Sequence, residues 1–281
     1  MRSLLSADLY RLVRSKSLYM GTLCLVLMEV WLMKNSTGGD RAVQGMEYQN
    51  FFSFTMFLPF AAAAFCGLFI GADFSYKTIR NKLICGHTKG QIYLSHALVT
   101  VLATVCFCAA PMGAGALYGM IDGRMFTLSN EALLGYILCS LASSIAAGAL
   151  AVLVAALFPN RSVGILVSLL AAFVLFCGSQ IINNSLSQPE TVPQFTQQTL
   201  GDNVTIYAAD PNLPEVPNPD YPTGIKRAAL ELLWDFLPAC QATQLSTVTV
   251  ESFGPLLLFS VLFFALVTFI GVALFCQKDI K

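Results

Sequence analysis

The sequence predicts an all-α polytopic membrane protein, and three observations carry that reading. Apolar residues make up 56% of the 281, whereas Asp, Glu, Lys and Arg together reach only 11%, less than half the roughly 25% of a soluble domain. That is too little charge to coat a globule of this size. Mean hydropathy is +0.67, and the apolar residues gather in stretches long enough to cross a bilayer core, which takes about 20 helical residues. Finally, Lys and Arg concentrate in alternate gaps between those stretches, as the positive-inside rule requires. The same figures exclude a disordered chain, a nucleic-acid binder and an ordinary soluble enzyme.

Six transmembrane helices are expected, at 18–33, 51–72, 92–120, 132–158, 163–182 and 253–275, forming a single transmembrane domain over 1–281. Pro111 lies inside the third and predicts a kink or a tilt. With both termini in the cytoplasm, only Lys34, Arg41, Arg124, Lys226 and Arg227 fall outside, and every other Lys and Arg falls inside. This sets the orientation of a multi-pass protein of the plasma membrane.

Before the first span, Leu5, Leu9, Leu12 and Val13 recur at helical spacing, with Arg11, Arg14 and Lys16 mostly elsewhere on the wheel. An amphipathic N-terminal helix lying on the inner leaflet is expected. Between spans two and three, Asp73–Gln91 is the densest basic loop. Asp73 or Ser75 can cap a short helix there, and Gly86 can end it. The extracellular segment 183–252 carries seven prolines between 189 and 222, so its middle is not regular helix. Beyond them, Ile225, Ala229, Leu232, Leu233 and Phe236 share one helical face, opposite Arg227, Glu231 and Asp235, and Pro238 should stop that helix.

Catalytic chemistry is missing from the pattern. There is no phosphate-binding G-x-x-x-x-G-K-[ST], no H-E-x-x-H and no Cys/His cluster with metal spacing. His87 and His96 have no acid at a useful helical spacing. Nine cysteines form no C-x-x-C pair, and most fall in apolar runs as small hydrophobes. No catalytic residue, metal or cofactor is expected on this chain. No span pairs Asp with Arg or strings acids together, as a proton-coupled carrier would. Glu29 is the single acid inside a span. It lies about 6 Å of helix rise from Met33, so the expectation is that it reaches the outer headgroups. The alternative is an intramembrane polar site on a transport path. Gly67-x-x-x-Gly71, Gly115-x-x-x-Gly119 and Ser144-x-x-x-Gly148 permit close helix contact.

The inner loop carries a resemblance. Ile70-Gly71-Ala72-Asp73-Phe74-Ser75, Thr78-Ile79-Arg80-Asn81-Lys82-Leu83, Gly86-His87-Thr88-Lys89 and Ile92-Tyr93-Leu94-Ser95 together resemble the loop of permease subunits of type-two ATP-binding-cassette exporters, particularly those of Gram-positive bacteria. That loop typically has Gly where Lys77 stands and Arg where Lys89 stands. In layout the resemblance extends over the whole chain: an interfacial helix, six spans, a coupling helix between spans two and three, and an extracellular element between spans five and six. It implies a permease that exports a peptide, antibiotic or other amphiphile. Two copies of a separate ATPase subunit would carry the ATP and Mg, and a second permease copy or a related permease would complete the complex in the lipid bilayer. It also implies that Asp73, Phe74, Lys77, Thr78, Arg80, Asn81, Lys82, Gly86, His87 and Lys89 couple the chain to that ATPase. The competing reading is a sensory membrane protein whose segment 183–252, with Tyr207, Tyr221 and Trp234, binds an extracellular ligand.

Overall fold

The computed structural model describes residues 1–35, 50–123, 125–200, 204–209, 213–250 and 252–278, with backbone alone for 195–200 and 204–209. Arg41, Arg124, Lys281 and the side chain of Tyr207, used in the sequence reading, lie outside the described residues. Among the described residues, six helices are long and apolar enough to cross a membrane. They are α2 (Lys16–Lys34), α3 (Leu58–Ser75, entered through a 3₁₀ turn Ser53–Phe57), α5 (Lys89–Ile121), α6 (Asn130–Leu157), α7 (Arg161–Leu186) and α10 (Phe253–Gln277). Each overlaps an expected span: α2, α5, α7 and α10 run a few residues beyond theirs, α6 is shifted by one or two residues, and α3 begins seven residues later than expected, with the 3₁₀ turn at the start of that span. The six run alternately up and down. The surface helix α1 (Arg2–Val13) and the short α4 (Thr78–Ile84) share one end of the bundle.

Local signals fix the element ends near α4. The α4 helix stops in a Schellman turn, with Gly86 N–H on the Leu83 carbonyl at 3.0 Å and His87 N–H on the Lys82 carbonyl at 3.2 Å. Gly86 adopts φ +88°, open to glycine at little cost. Two residues later Thr88 and Gln91 close a capping box that starts α5. Only four residues, 85–88, therefore separate the coupling-type helix from the third span. Pro111 sits buried inside α5, which continues through it.

Packing uses the small residues. A Cβ on Gly67 would lie 2.7 Å from the Ile165 Cα, and one on Gly71 3.0 Å from the Arg161 Cα. The Gly67-x-x-x-Gly71 face is thus where α7 lies backbone-close on α3. At the end opposite α4, Phe51, Phe52, Tyr136 and Phe253 form an aromatic chain with ring centroids 4.9–5.2 Å apart.

The segment between α7 and α10 holds two antiparallel pairs. The first is β1 (Thr191–Val192) with β4 (Val216–Pro217), the second β2 (Phe195–Leu200) with β3 (Val204–Ala209). Then come α8 (Gly224–Phe236) and α9 (Pro238–Ser246). Pro238 ends α8 as expected, but it also occupies the first position of α9, where a missing N–H costs nothing. The sequence reading left α9 out. Residues 238–245 are buried, and the polar ones are bonded. Gln241 donates to the Asp235 carbonyl at 2.6 Å and accepts from Ser260 at 2.8 Å, and Gln244 donates to the Trp234 carbonyl at 2.8 Å.

The N-terminal helix differs in its buried face. Leu4, Asp8 and Leu12 are buried, one turn apart, while Val13 is 62% exposed. The stripe predicted from apolar residues alone is rotated, because an acid occupies its centre and finds partners on α5 and α4. The α1 helix is docked on the bundle through that acid.

Candidate functional site

Asp73, the last acid of α3, is 1% exposed and lies among four polar side chains. Its Oδ1 accepts from Thr78 at 2.6 Å and pairs with Arg11. Its Oδ2 lies 2.8 Å from His96 Nε2 and 3.1 Å from Lys82 Nζ. Lys82 Nζ also reaches Asp8 Oδ1 at 2.8 Å, and Asp8 Oδ2 accepts from Ser95 at 2.7 Å. Arg11 completes its contacts on the Phe69 carbonyl at 3.2 Å and over the Phe69 ring at 3.8 Å. One cluster therefore ties α1 (Asp8, Arg11), α3 (Asp73), α4 (Thr78, Lys82) and α5 (Ser95, His96).

The chemistry of the cluster follows from charge and geometry. Two carboxylates meet two cations, so their charges cancel without any contribution from the imidazole. A carboxylate only accepts, so the His96 proton facing Asp73 sits on Nε2. His96 Nδ1 is buried with no partner among the described residues. Asp8, Asp73 and His96 each place one ligand atom within 4.8 Å of the others. The same space already holds Lys82 Nζ and the Arg11 guanidinium, so the arrangement is an ion-pair hub rather than a cage built for a metal cation. Such a hub is costly to break, because removing one member leaves a buried charge.

The residues that the resemblance assigns to coupling divide into three sets. Asp73, Thr78 and Lys82 face inward in the hub. Lys77, Arg80, Asn81 and Gly86 are exposed, as are the apolar Tyr76 at 71% and Ile84 at 76%. Lys77 initiates α4 with φ +55°, the left-handed region that glycine occupies freely, at the position where the resembling loops have Gly. Phe74, His87 and Lys89 are half-buried. Lys89 Nζ donates to the carbonyls of Cys276 at 3.1 Å and Lys278 at 2.7 Å, closing the end of α10. Lys278 Nζ in turn sits 4.3 Å over the Phe74 ring and donates to the Ala156 carbonyl at 2.9 Å, at the end of α6. Burial lowers the pKa of Lys278.

Three sequence expectations need correction. His96 does meet an acid, since tertiary packing brings Asp73 from another helix. An Asp–Arg pair does exist at a span end, because the Arg comes from α1. Glu29 does not reach the headgroups. It is 0% exposed and packs on Gly115 and Met33, and neither carboxylate oxygen makes a hydrogen bond among the described residues, although the Phe54 backbone lies close. Asp8, Arg11 and Ser95 were missed as functional residues. The visible signal was an acid at the centre of the Leu4–Leu12 stripe, one turn from each.

These features define a class: a multi-pass α-helical membrane protein whose short exposed helix is pinned to its spans by buried ion pairs. Residues 4–208 match the family described as ABC-2 family transporter protein, a stretch from α1 to the end of β3, and the chain belongs to that family. It is a transmembrane permease of an ABC transporter, a membrane component that is not itself catalytic. No curated protein is similar enough to the chain to be matched to it.

Proposed function

We propose that the chain is the permease subunit of an exporter of the Gram-positive type. A separate ATPase, in two copies carrying ATP and Mg, docks on α4, and a second permease copy or a related one completes the complex. Both termini and α4 face the cytoplasm. The cargo is a peptide, antibiotic or other amphiphile driven outward or lifted from the inner leaflet. The observation that carries the reading is the division of α4 and the turn that leads into it between exposed residues (Tyr76, Lys77, Arg80, Ile84) and hub residues (Thr78, Lys82). A partner that pushes on the first moves α1, α3 and α5 through the second.

The test is Lys77→Glu with Arg80→Glu. Both side chains are exposed, so the fold is retained while the docking charge is reversed. The expected result is loss of a stoichiometric ATPase from mild-detergent purifications and loss of export. Undiminished association and export in that variant would overturn the docking role.

The outward cavity of about 430 Å³ beside Arg227, Glu231, Trp234 and Asp235 supports the sensory alternative. Recovery of a kinase, in place of a P-loop protein, with the wild-type chain would select it.

A further inference from the structure

The α4 end carries a second feature, apart from the hub and from the exposed face of α4. A cleft of about 670 Å³ opens between α2, α3 and the start of α7. Its floor is Leu68, Phe69 and Ala72 of α3. Arg14 and Lys16 stand on one side, and Arg161 stands on the other. Arg11 also reaches the cleft, but Asp73 already pairs with it. Among the described residues no carboxylate pairs with Arg14, Lys16 or Arg161, and none lines the cleft. Arg14 also lies 4.3 Å over the Tyr10 ring, but three cations face an open volume with no carboxylate among the described residues to balance them.

Two further observations indicate what would balance them. The cleft includes Ser15, Lys16 and Ser17, the first turn of the 19-residue α2, and the Ser15 side chain does not cap that turn. The amide dipoles at this end add to the attraction for an anion. The cleft also has an apolar exit. Met20 on its wall is 67% exposed and begins a stripe with Leu23, Leu27 and Trp31, each more than half exposed and all on one face of α2. A polar anion-binding mouth that continues into an apolar, bilayer-facing track matches a two-part molecule: a charged headgroup and a hydrocarbon tail.

We propose that this cleft binds the phosphate of an anionic phospholipid headgroup, held by Arg14, Lys16, Arg161 and the first turn of α2, with an acyl chain lying along the Met20–Trp31 stripe. The proposal rests on the bilayer-spanning fold and not on the ATPase partner, so its failure and the failure of the docking role are separable. A lipid seated there bridges α2 and α7 across α3, and would make the relative position of those helices sensitive to the charge of the leaflet.

The test titrates the purified full-length chain in detergent with dioleoylphosphatidylglycerol, reading bound lipid by native mass spectrometry. One tightly held phosphatidylglycerol per chain is expected, with dioleoylphosphatidylcholine retained far less. A cation close to a bilayer surface contributes about fivefold to affinity for anionic lipid, so Lys16→Gln with Arg161→Gln should weaken retention roughly 25-fold. Lys77→Gln with Arg80→Gln removes the same charge from the exposed face of α4 and should leave retention within about twofold, because charge outside the cleft is screened by solvent. If the first double variant does not fold, its two single variants carry the test at about fivefold each. Glycerol 1-phosphate at millimolar concentration should not displace the lipid. Equal retention of both lipids, or equal weakening by the two double variants, would overturn the proposal. Displacement by glycerol 1-phosphate would overturn the lipid and assign the cleft to a soluble phosphate.

Discussion

Lys82 sits between two acids, and its coupling to Asp73 can be measured directly. At 3.1 Å and an effective dielectric of about 20, the pair attracts by about 5 kcal/mol. Desolvation opposes this, since the side chains are 14% and 1% exposed. Asp73→Asn leaves Arg11 and Lys82 facing a neutral amide, and removing one member of a buried pair costs about 3–5 kcal/mol. Lys82 keeps Asp8, and Arg11 is a third exposed, so the lower end, about 3 kcal/mol, is expected. Lys82→Gln should cost a similar amount, because it strips both acids at once. The double variant should then lose about 2 kcal/mol less than the sum, within the range for residues sharing one network. The assay is reversible unfolding in mixed micelles of increasing dodecyl sulfate, followed by Trp31 and Trp234 fluorescence. The exposed i,i+4 pair Arg227–Glu231 is the internal control, with an expected coupling of about 0.3–0.5 kcal/mol. If Asp73 and Lys82 couple no more strongly than that pair, the hub does not hold α4 to α3.

Further outcomes follow from four single residues. Lys77→Gly should leave stability unchanged or raise it by up to about 1 kcal/mol, because relief of the left-handed conformation is partly offset by a more flexible unfolded chain. Lys77→Val should lose about 1–2 kcal/mol in the same unfolding assay. Glu29→Met should raise stability by about 1–3 kcal/mol, since it removes a buried carboxyl with no hydrogen-bond partner among the described residues; a simultaneous loss of export would place Glu29 on the transport path, and a loss of stability would show that the carboxyl has a partner. Burial pushes the Cys240 thiol up to about 12, so a chain retaining only Cys240 should resist a membrane-impermeant maleimide at pH 7.5. A chain retaining only the exposed Cys85 should label in inside-out vesicles and stay protected in intact cells, and labelling in intact cells would reverse the proposed orientation.

The spans were legible because each is a local property: twenty apolar residues announce themselves whatever they pack against. The turn at Gly86 and the start of α8 were legible for the same reason. The hub was not, because its members lie as far apart in sequence as Asp8 and Ser95, and no spacing rule links an acid on α1 to a lysine on α4. Judged by sequence neighbours alone, His96 was isolated, and Glu29 was placed at the surface by its distance from the helix end. Both readings failed on the same point. Lateral packing decides exposure inside a bundle, and one-dimensional distance does not report it. The α9 helix was hidden by Pro238, whose role as a stop masked its role as a start.

The position of the hub also bears on how a push on α4 could reach the spans. At its N-terminus α4 is tied to α3 through Thr78 and Asp73. Midway it is tied to α1 and α3 through Lys82, and the Schellman turn and capping box leave four residues before α5. Displacing α4 against α1, α3 or α5 would separate opposite charges in a buried site, at a cost of several kcal/mol. Displacing these four helices together against α7 would cost less there, because the α3–α7 contact is built from Gly67 and Gly71 lying on backbone and carries no ion pair among the described residues. The boundary between α3 and α7 is therefore where a movement begun at α4 would become relative motion of spans. The lipid cleft opens at that same boundary, so an occupant bridging α2 to Arg161 would resist the movement or set its resting point. Export rates measured in vesicles with and without phosphatidylglycerol should then differ for the wild-type chain and converge for Lys16→Gln with Arg161→Gln.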